Sequence, residues 1–516
     1  MEDLVLMNPY VFEDKRPVVE TKQGKLRGIT YGDVNIFMGM PYAHAKRFQM
    51  PEEIEPWEGI RNAYQHGPIP MQGIATKPFN YHRGIHVVET QSEDCQNLNI
   101  WAPKPRDGEK KPVFVWIHGG GFFGGNAYEE ISFDGFRFAH DGDVIFISIN
   151  HRLNVLGYLN LEDYGEEFRH SPNVGIFDLV VALKWIHENI AAFGGDPENV
   201  TICGHSGGGG KVQCLLQIEE AVPYFQRAVC LSGARAGLAS PNDTRENSRK
   251  TAKAMLDELG ITKENIQKIY EVPYKDLVDA CWKVANPFQF SPVPNDDFPG
   301  FPALTKLMPF SKDKPILYST MIGELPICDL TADQKETMTE ADWMAFFRDR
   351  FGEHTDKVIS LFRKAYPDHD LQDLAYLDTR YRTSAVRSAM KHIEAGCKDV
   401  YLLLCAYTVP ENGRMPIWHG GEVAFIFKNE DKVLVLNDAE NGQKYASALN
   451  ALMLNYVKTG DPNCEYLPEW KKATAEDNWT MIIDKECRCV AHHDDELAEL
   501  HNEVGPGLFK LNLSKD

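Results

Sequence analysis

The run Val200-Thr201-Ile202-Cys203 passes directly into Gly204-His205-Ser206-Gly207-Gly208, and no other stretch constrains the fold as much. A short, β-branched, apolar run reads as a buried strand. G-x-S-x-G at its end reads as a sharp strand-to-helix turn that holds a serine hydroxyl above the sheet edge. The glycines permit a backbone conformation that a Cβ resists. Ser206 is therefore the candidate nucleophile, on a turn that needs a strand before it and a helix after it.

A second glycine-rich turn lies upstream. His118-Gly119-Gly120-Gly121-Phe122 follows the strand-like run Val113-Phe114-Val115-Trp116-Ile117. Acyl transfer needs N–H donors where a carbonyl oxygen becomes an oxyanion, and bare glycine amides can approach a substrate closely. Gly120 and Gly121 are the expected donors, with the amide of Gly207 as the third. A serine nucleophile also needs a base, and the base an orienting acid. Among seventeen histidines, His419 stands in the glycine-flanked turn Pro416-Ile417-Trp418-His419-Gly420-Gly421-Glu422. Glu324 follows Pro315–Ile322, another expected parallel strand, and spacing alone leaves Asp329 as its rival. Sites in open α/β sheets collect at the carboxyl ends of strands, which agrees with these placements.

These residues, with several longer signatures, resemble the type-B carboxylesterase (cholinesterase-like) family, and its bacterial-type cytoplasmic members in particular. Phe37-Met38-Gly39-Met40-Pro41-Tyr42-Ala43 is similar to the family's F-x-G-I-P-Y-A. Ser92-Glu93-Asp94-Cys95-Gln96-Asn97-Leu98-Asn99 is similar to S-E-D-C-L-x-L-N, and Lys458-Thr459-Gly460-Asp461-Pro462-Asn463 matches K-T-G-D-P-N. The resemblance implies an α/β-hydrolase fold and a serine ester hydrolase without metal or organic cofactor. It makes Ser206 the nucleophile and His419 the base. The family's acid pattern aligns without a gap onto Pro315–Leu325, which selects Glu324 over Asp329. Ser232 falls on a serine that supports the acid. Glu93 with Arg47, and Arg152 with Asp178, fall on internal salt bridges.

The departures from the family pattern narrow the expectation. His205 stands where a glutamate usually precedes the nucleophile, which argues against a choline ester specialist, since quaternary ammonium recognition uses negative charge and aromatic faces. A packing or pocket role is expected for His205 rather than that of an alternative base. Gly207 replaces an alanine, Leu325 a glycine after the acid, and Met321 an asparagine before it. Phe122, Phe123, Phe288 and Phe290, with His205 and Leu325, are the expected substrate-pocket residues. The expected substrates are small to medium apolar esters. Amides, carbamates or lactones split by the same machinery are the nearer alternative, and a non-catalytic binding domain the more distant one.

The remaining sequence fits one large domain over 1–516. The runs Val113–Ile117, Val144–Ile149, Val200–Cys203, Ala228–Leu231, Ile316–Ile322 and Val400–Ala406 read as central parallel strands with both faces covered. Asp178–Ile190 repeats its apolar residues at helical spacing. The segments at about 242–307 and 331–396 read as mostly helical insertions forming a cap or lobe. A net charge of −21 argues against nucleic acid as a partner. No run approaches the ~18 apolar residues of a membrane helix, and the first residues lack the features of a signal peptide. Eleven cysteines at no repeated spacing, and Pro70 where Cys95 would find its family partner, fit a cytoplasmic address. Cys487-Arg488-Cys489 with His492-His493 matches no metal-ligand spacing. Oligomeric state is left open.

Overall fold

Alternation along the apolar runs sets the architecture. In the strand Lys111–Ile117, Val113, Val115 and Ile117 enter one hydrophobic cluster while Phe114 and Trp116 enter another. In Ile145–Ile149 the isoleucines at 145, 147 and 149 join the first cluster and Phe146 the second. Successive side chains of a strand point to opposite faces, so a strand apolar at every position needs cover on both sides. Each of these residues is fully buried.

The computed structural model describes residues 16–73, 90–106, 108–234, 244–285, 290–325, 328, 330–436, 438 and 441–505. Its main sheet has eleven strands. In chain order they are β1 (Ile29–Tyr31), β2 (Val34–Pro41), β3 (Asn97–Pro103), β4 (Lys111–Ile117), β5 (Ile145–Ile149), β6 (Gly195–His205), β7 (Arg227–Leu231), β8 (Ile316–Met321), β9 (Val400–Cys405), β10 (Thr480–Ile483) and β11 (Arg488–Val490). The spatial order is β11-β10-β9-β8-β7-β6-β4-β5-β3-β2-β1. Pairing is parallel from β5 through β4 and β6 to β10, and antiparallel at both margins. All six expected central strands are present.

Helices cover both faces. On one side lie α1 (Val174–Asn189) and α2 (Gly207–Leu215), with Leu179, Leu183, Ile186, Val212 and Leu215 in the first cluster. The expected helix from Asp178 begins four residues earlier, at Val174, because the short helical turn Ser171–Asn173 leads into it. The segment 244–285 holds α3 (Arg245–Glu258) and α4 (Tyr274–Val284), which pack on each other. In 331–396 lie α5 (Glu340–Phe351), α6 (Thr355–Ala365) and α7 (Arg380–Glu394). Of these α7 packs directly against β8 and β9, so part of this stretch is sheet cover. The second face is closed by α8 (Gly421–Ile426), α9 (Gly442–Thr459) and α10 (Asp495–Val504), through Phe425, Leu449, Leu452, Met453, Tyr456 and Leu497. Among the described residues no helix is long and apolar enough to cross a membrane.

Candidate active site

The elbow between β6 and α2 carries Ser206 at φ 54° and ψ −121°. A positive φ at a non-glycine residue is strained and persists only where the surroundings enforce it. Here they do. The Ser206 amide donates to the Leu231 carbonyl of β7 at 2.8 Å, and its own carbonyl accepts from the Gly210 amide at 3.1 Å, inside α2. The glycine at 207 is required by close approach. A Cβ there would stand 2.1 Å from the Gly121 carbonyl oxygen. Replacing the family's usual alanine therefore lets the upstream glycine loop close onto the first turn of α2.

That loop leaves β4 at His118 and turns through Gly120 and Gly121, both at positive φ. The Gly120 carbonyl accepts from the Gly124 amide at 3.0 Å. The Asn154 amide donates to the Phe122 carbonyl at 2.7 Å. Gln72 braces the far side, accepting from the Gly125 amide at 2.8 Å and donating to the Gly125 carbonyl at 3.0 Å. Among the described residues the amides of Gly120, Gly121 and Gly207 donate no hydrogen bond.

Glu324 lies just past the end of β8 and is fully buried. Its Oε1 accepts from Ser232 Oγ at 2.7 Å and from the Met321 amide at 2.9 Å. Its Oε2 accepts from His419 Nδ1 at 2.6 Å. The two segments are zipped together by backbone as well. The Gly323 amide donates to the Ile417 carbonyl and the His419 amide to the Glu324 carbonyl, at 3.2 and 2.8 Å. The residues that depart from the pattern near the acid act through their backbone: the Met321 amide holds Glu324, and the Leu325 amide donates to Asp378 at 3.2 Å. Asp329, the rival acid, lies outside the described residues.

Ser206, His205 and His419 line one open cleft, with Gly119, Gly120, Glu129, Glu130, Ser132, Phe133, Trp418, Val433 and Leu436. Ser206 Oγ makes no hydrogen bond among the described residues. His205 lies with its ring 4.5 Å from that of His419, centroid to centroid. It also packs on Gly420, where a Cβ would come within 2.8 Å of the ring. Of the other expected pocket residues, Phe122 is buried edge-on against Tyr158, and Phe123 folds back over Gly121. Phe290 lies in the first core cluster and Leu325 is half-buried, neither in the cleft lining. Phe288 lies outside the described residues.

Sequence reasoning assigned no role to several titratable groups buried near the elbow, its glycine loop and the His419 turn. Glu422, three residues beyond His419, is fully buried, and its carboxyl is raised to about 8, first by burial and then by the charge of Glu324. Lys211 of α2 is buried too, and burial lowers its ammonium to about 7. His118 and His151 are held well below the ordinary histidine range, again mainly by burial. Glu129 and Glu130 come from the loop after the glycines. For Glu422 the clue was present in the His419-Gly420-Gly421-Glu422 turn. Among the described residues no group of three or more His, Cys, Asp or Glu could hold a metal ion.

A model described as the carboxylesterase family matches residues 15–499. The para-nitrobenzyl esterase of Bacillus subtilis is 30% identical over 95% of this chain and 98% of its own. The phenmedipham hydrolase of Pseudarthrobacter oxydans is 29% identical over 92% and 97%. Among solved structures, an esterase from anaerobic Clostridium hathewayi, described as able to hydrolyse aliphatic aromatic polyesters, superposes with a TM-score of 0.88 at 38% identity. That match covers 95% of this chain and 99% of the other.

Proposed function

The chain belongs to the carboxylesterase family and is an ester hydrolase, and we propose that it works through an acyl-enzyme formed on Ser206. His419 takes the hydroxyl proton as Ser206 attacks the ester carbonyl, then protonates the leaving alcohol, and later activates the water that releases the acid. Glu324 holds the imidazole with its proton on Nδ1, leaving Nε2 as the base, and stabilises the imidazolium that forms. The amides of Gly120, Gly121 and Gly207 receive the oxyanion; losing one such donor typically costs about 3–4 kcal/mol of transition-state stabilisation. Ser232 supports the acid.

The observation that carries this reading is the 2.6 Å contact between Glu324 and His419, on a cleft that also holds a strained Ser206. Phe133, Trp418, Val433 and Leu436 give the cleft apolar walls, while Glu129 and Glu130 disfavour an anionic ester. Small to medium neutral apolar esters are the substrates this combination suits. A cytoplasmic location is supported by free thiols on all eleven cysteines, Cys95 included.

The test is labelling with a fluorophosphonate probe and turnover of a short-chain aryl ester, beside Ser206→Ala. We expect stoichiometric labelling and turnover in the parent. In the variant labelling is abolished and kcat falls by a factor on the order of a million. Turnover that survives in a well-folded Ser206→Ala protein overturns the assignment.

A further inference from the structure

Directly behind the glycine loop lies a buried lysine beside two neutral histidines, a cluster that the mechanism above does not use. Lys211 stands four residues after Gly207, so the two share a face of α2, and helical side chains lean toward the N-terminus. Its ammonium therefore heads back toward the elbow. There Nζ donates to the His118 carbonyl at 3.3 Å, and it lies 5.7 Å from the centroid of the Phe122 ring. The His118 carbonyl belongs to the peptide that starts the glycine loop. Among the described residues this is the ammonium's only hydrogen bond, and no carboxylate touches it.

Its closest titratable neighbours are two histidines held neutral by burial, with one carboxylate, Glu129, acting on it from a distance. His118 at the end of β4 and His151 after β5 stack with ring centroids 5.0 Å apart. Their Nδ1 atoms donate to the Gly119 and Arg152 carbonyls, at 2.9 and 3.0 Å, which leaves each Nε2 as a bare acceptor. Both Nε2 atoms are buried without a hydrogen bond. The other titratable groups near the ammonium are Glu129 from the following loop and Cys214 on α2 itself. Beyond His151 the Arg152–Asp178 pair is internally balanced, at 2.6 Å. A buried ammonium with no carboxylate in contact is costly, and it stands behind the loop whose amides face the developing negative charge.

We propose that Lys211 is a positioning residue for ester hydrolysis: its ammonium pins the His118 peptide so that the glycine loop stays seated on α2, and it sets a buried positive charge behind the amides facing the cleft. The proposal rests on the acyl-enzyme reading of Ser206. It concerns the charged form of Lys211, because only the ammonium both donates to the carbonyl and favours an oxyanion electrostatically. Since burial lowers that ammonium to about 7, its contribution is present below neutrality and fades as pH rises through this value.

The experiment compares the full-length parent with Lys211→Met, a neutral side chain of similar length, using kcat, KM and melting midpoint from pH 5.5 to 9.5. We expect the parent kcat to decline through about pH 7. In Lys211→Met we expect kcat lowered about 10- to 100-fold at pH 6, KM within about threefold, and the inflection near 7 absent. The variant's melting midpoint should be equal to the parent's or higher, because a buried charge has been removed. Glu422 is the other group that can bend the alkaline limb, so Glu422→Gln serves as the control and should keep the inflection near 7. An unchanged kcat and profile in Lys211→Met overturns the proposal. So does a joint fall of kcat and melting midpoint with the parent's profile, which is the signature of a purely structural lysine. Should the variant not fold, a parent kcat that stays level from pH 6 to 9 overturns it equally. Failure of the acyl-enzyme reading is distinguishable, since the parent would then show no fluorophosphonate labelling at Ser206.

Discussion

Glu422 sets a pH-dependent cost at the scale of a single carboxyl. Its folded pKa of about 8 lies above the ordinary value of 4.5. Between those limits the folded protein keeps a proton that the unfolded chain has released, so stability falls as pH rises across the window. At its steepest the fall is about 1.4 kcal/mol per pH unit. Glu422→Gln removes the titration. The variant's gain in melting midpoint over the parent should be smallest near pH 4.5, grow toward pH 8 and level off above it. A difference that stays constant from pH 4 to 9 would show that Glu422 does not titrate in this window. Residues of this kind mark where sequence reading stops. His419 was legible from its glycine-flanked turn, and Glu324 from its place past a strand end together with the family resemblance that selected it over Asp329. Lys211 was not, because a charged residue in sequence carries no sign that distant elements will bury it, and for Glu422 the turn pointed to the place without revealing the burial. His205 was legible only as a departure; its tilted ring contact with His419 joins segments more than two hundred residues apart.

Between elements, the buried Arg152–Asp178 pair ties three parts of the chain together. Arg152 follows β5 and Asp178 lies on α1, and the guanidinium contacts the carboxylate through Nε and Nη2. Its Nη1 donates to the Lys46 and Gln49 carbonyls of the N-terminal segment, at 3.0 and 2.9 Å. Arg152→Met would leave Asp178 buried and, among the described residues, accepting only from the backbone amide at 152 and from Gln96. The expected loss is about 3–5 kcal/mol, read from the urea midpoint. Adding Asp178→Asn should recover part of it, since the double variant no longer strands a charge. A single variant within 1 kcal/mol of the parent would mean that the pair is not load-sharing as its geometry implies. The same packing explains what the sequence revealed about elements. The central strands are apolar on both faces and so read as continuous runs. The helix α7 was read within an insertion because an apolar stripe announces that a helix has a partner without saying which one, and here the partner is β8 and β9.

Across the whole molecule, stability rests on packing rather than on covalent cross-links, because all eleven cysteines carry free thiols. Eight are buried, and Cys464, Cys487 and Cys489 are half-buried near the sheet margin. The thiolate is the reactive form. Burial pushes Cys230 and Cys281 up to about 12 and Cys95 and Cys203 well above the usual thiol range, so these are doubly protected, by access and by protonation. Burial also raises Cys464, Cys487 and Cys489, yet each keeps a solvent-facing side. Titration of the native protein with an aromatic disulfide reagent should therefore consume these three thiols first, slowly at pH 7 and faster as pH rises. In denaturant without reductant the count should reach eleven, and adding reductant should leave the melting midpoint unchanged. A denatured count below eleven, or a midpoint that falls with reductant, would reveal a covalent bridge and shift part of the molecule's stability from its two packed faces to that bond.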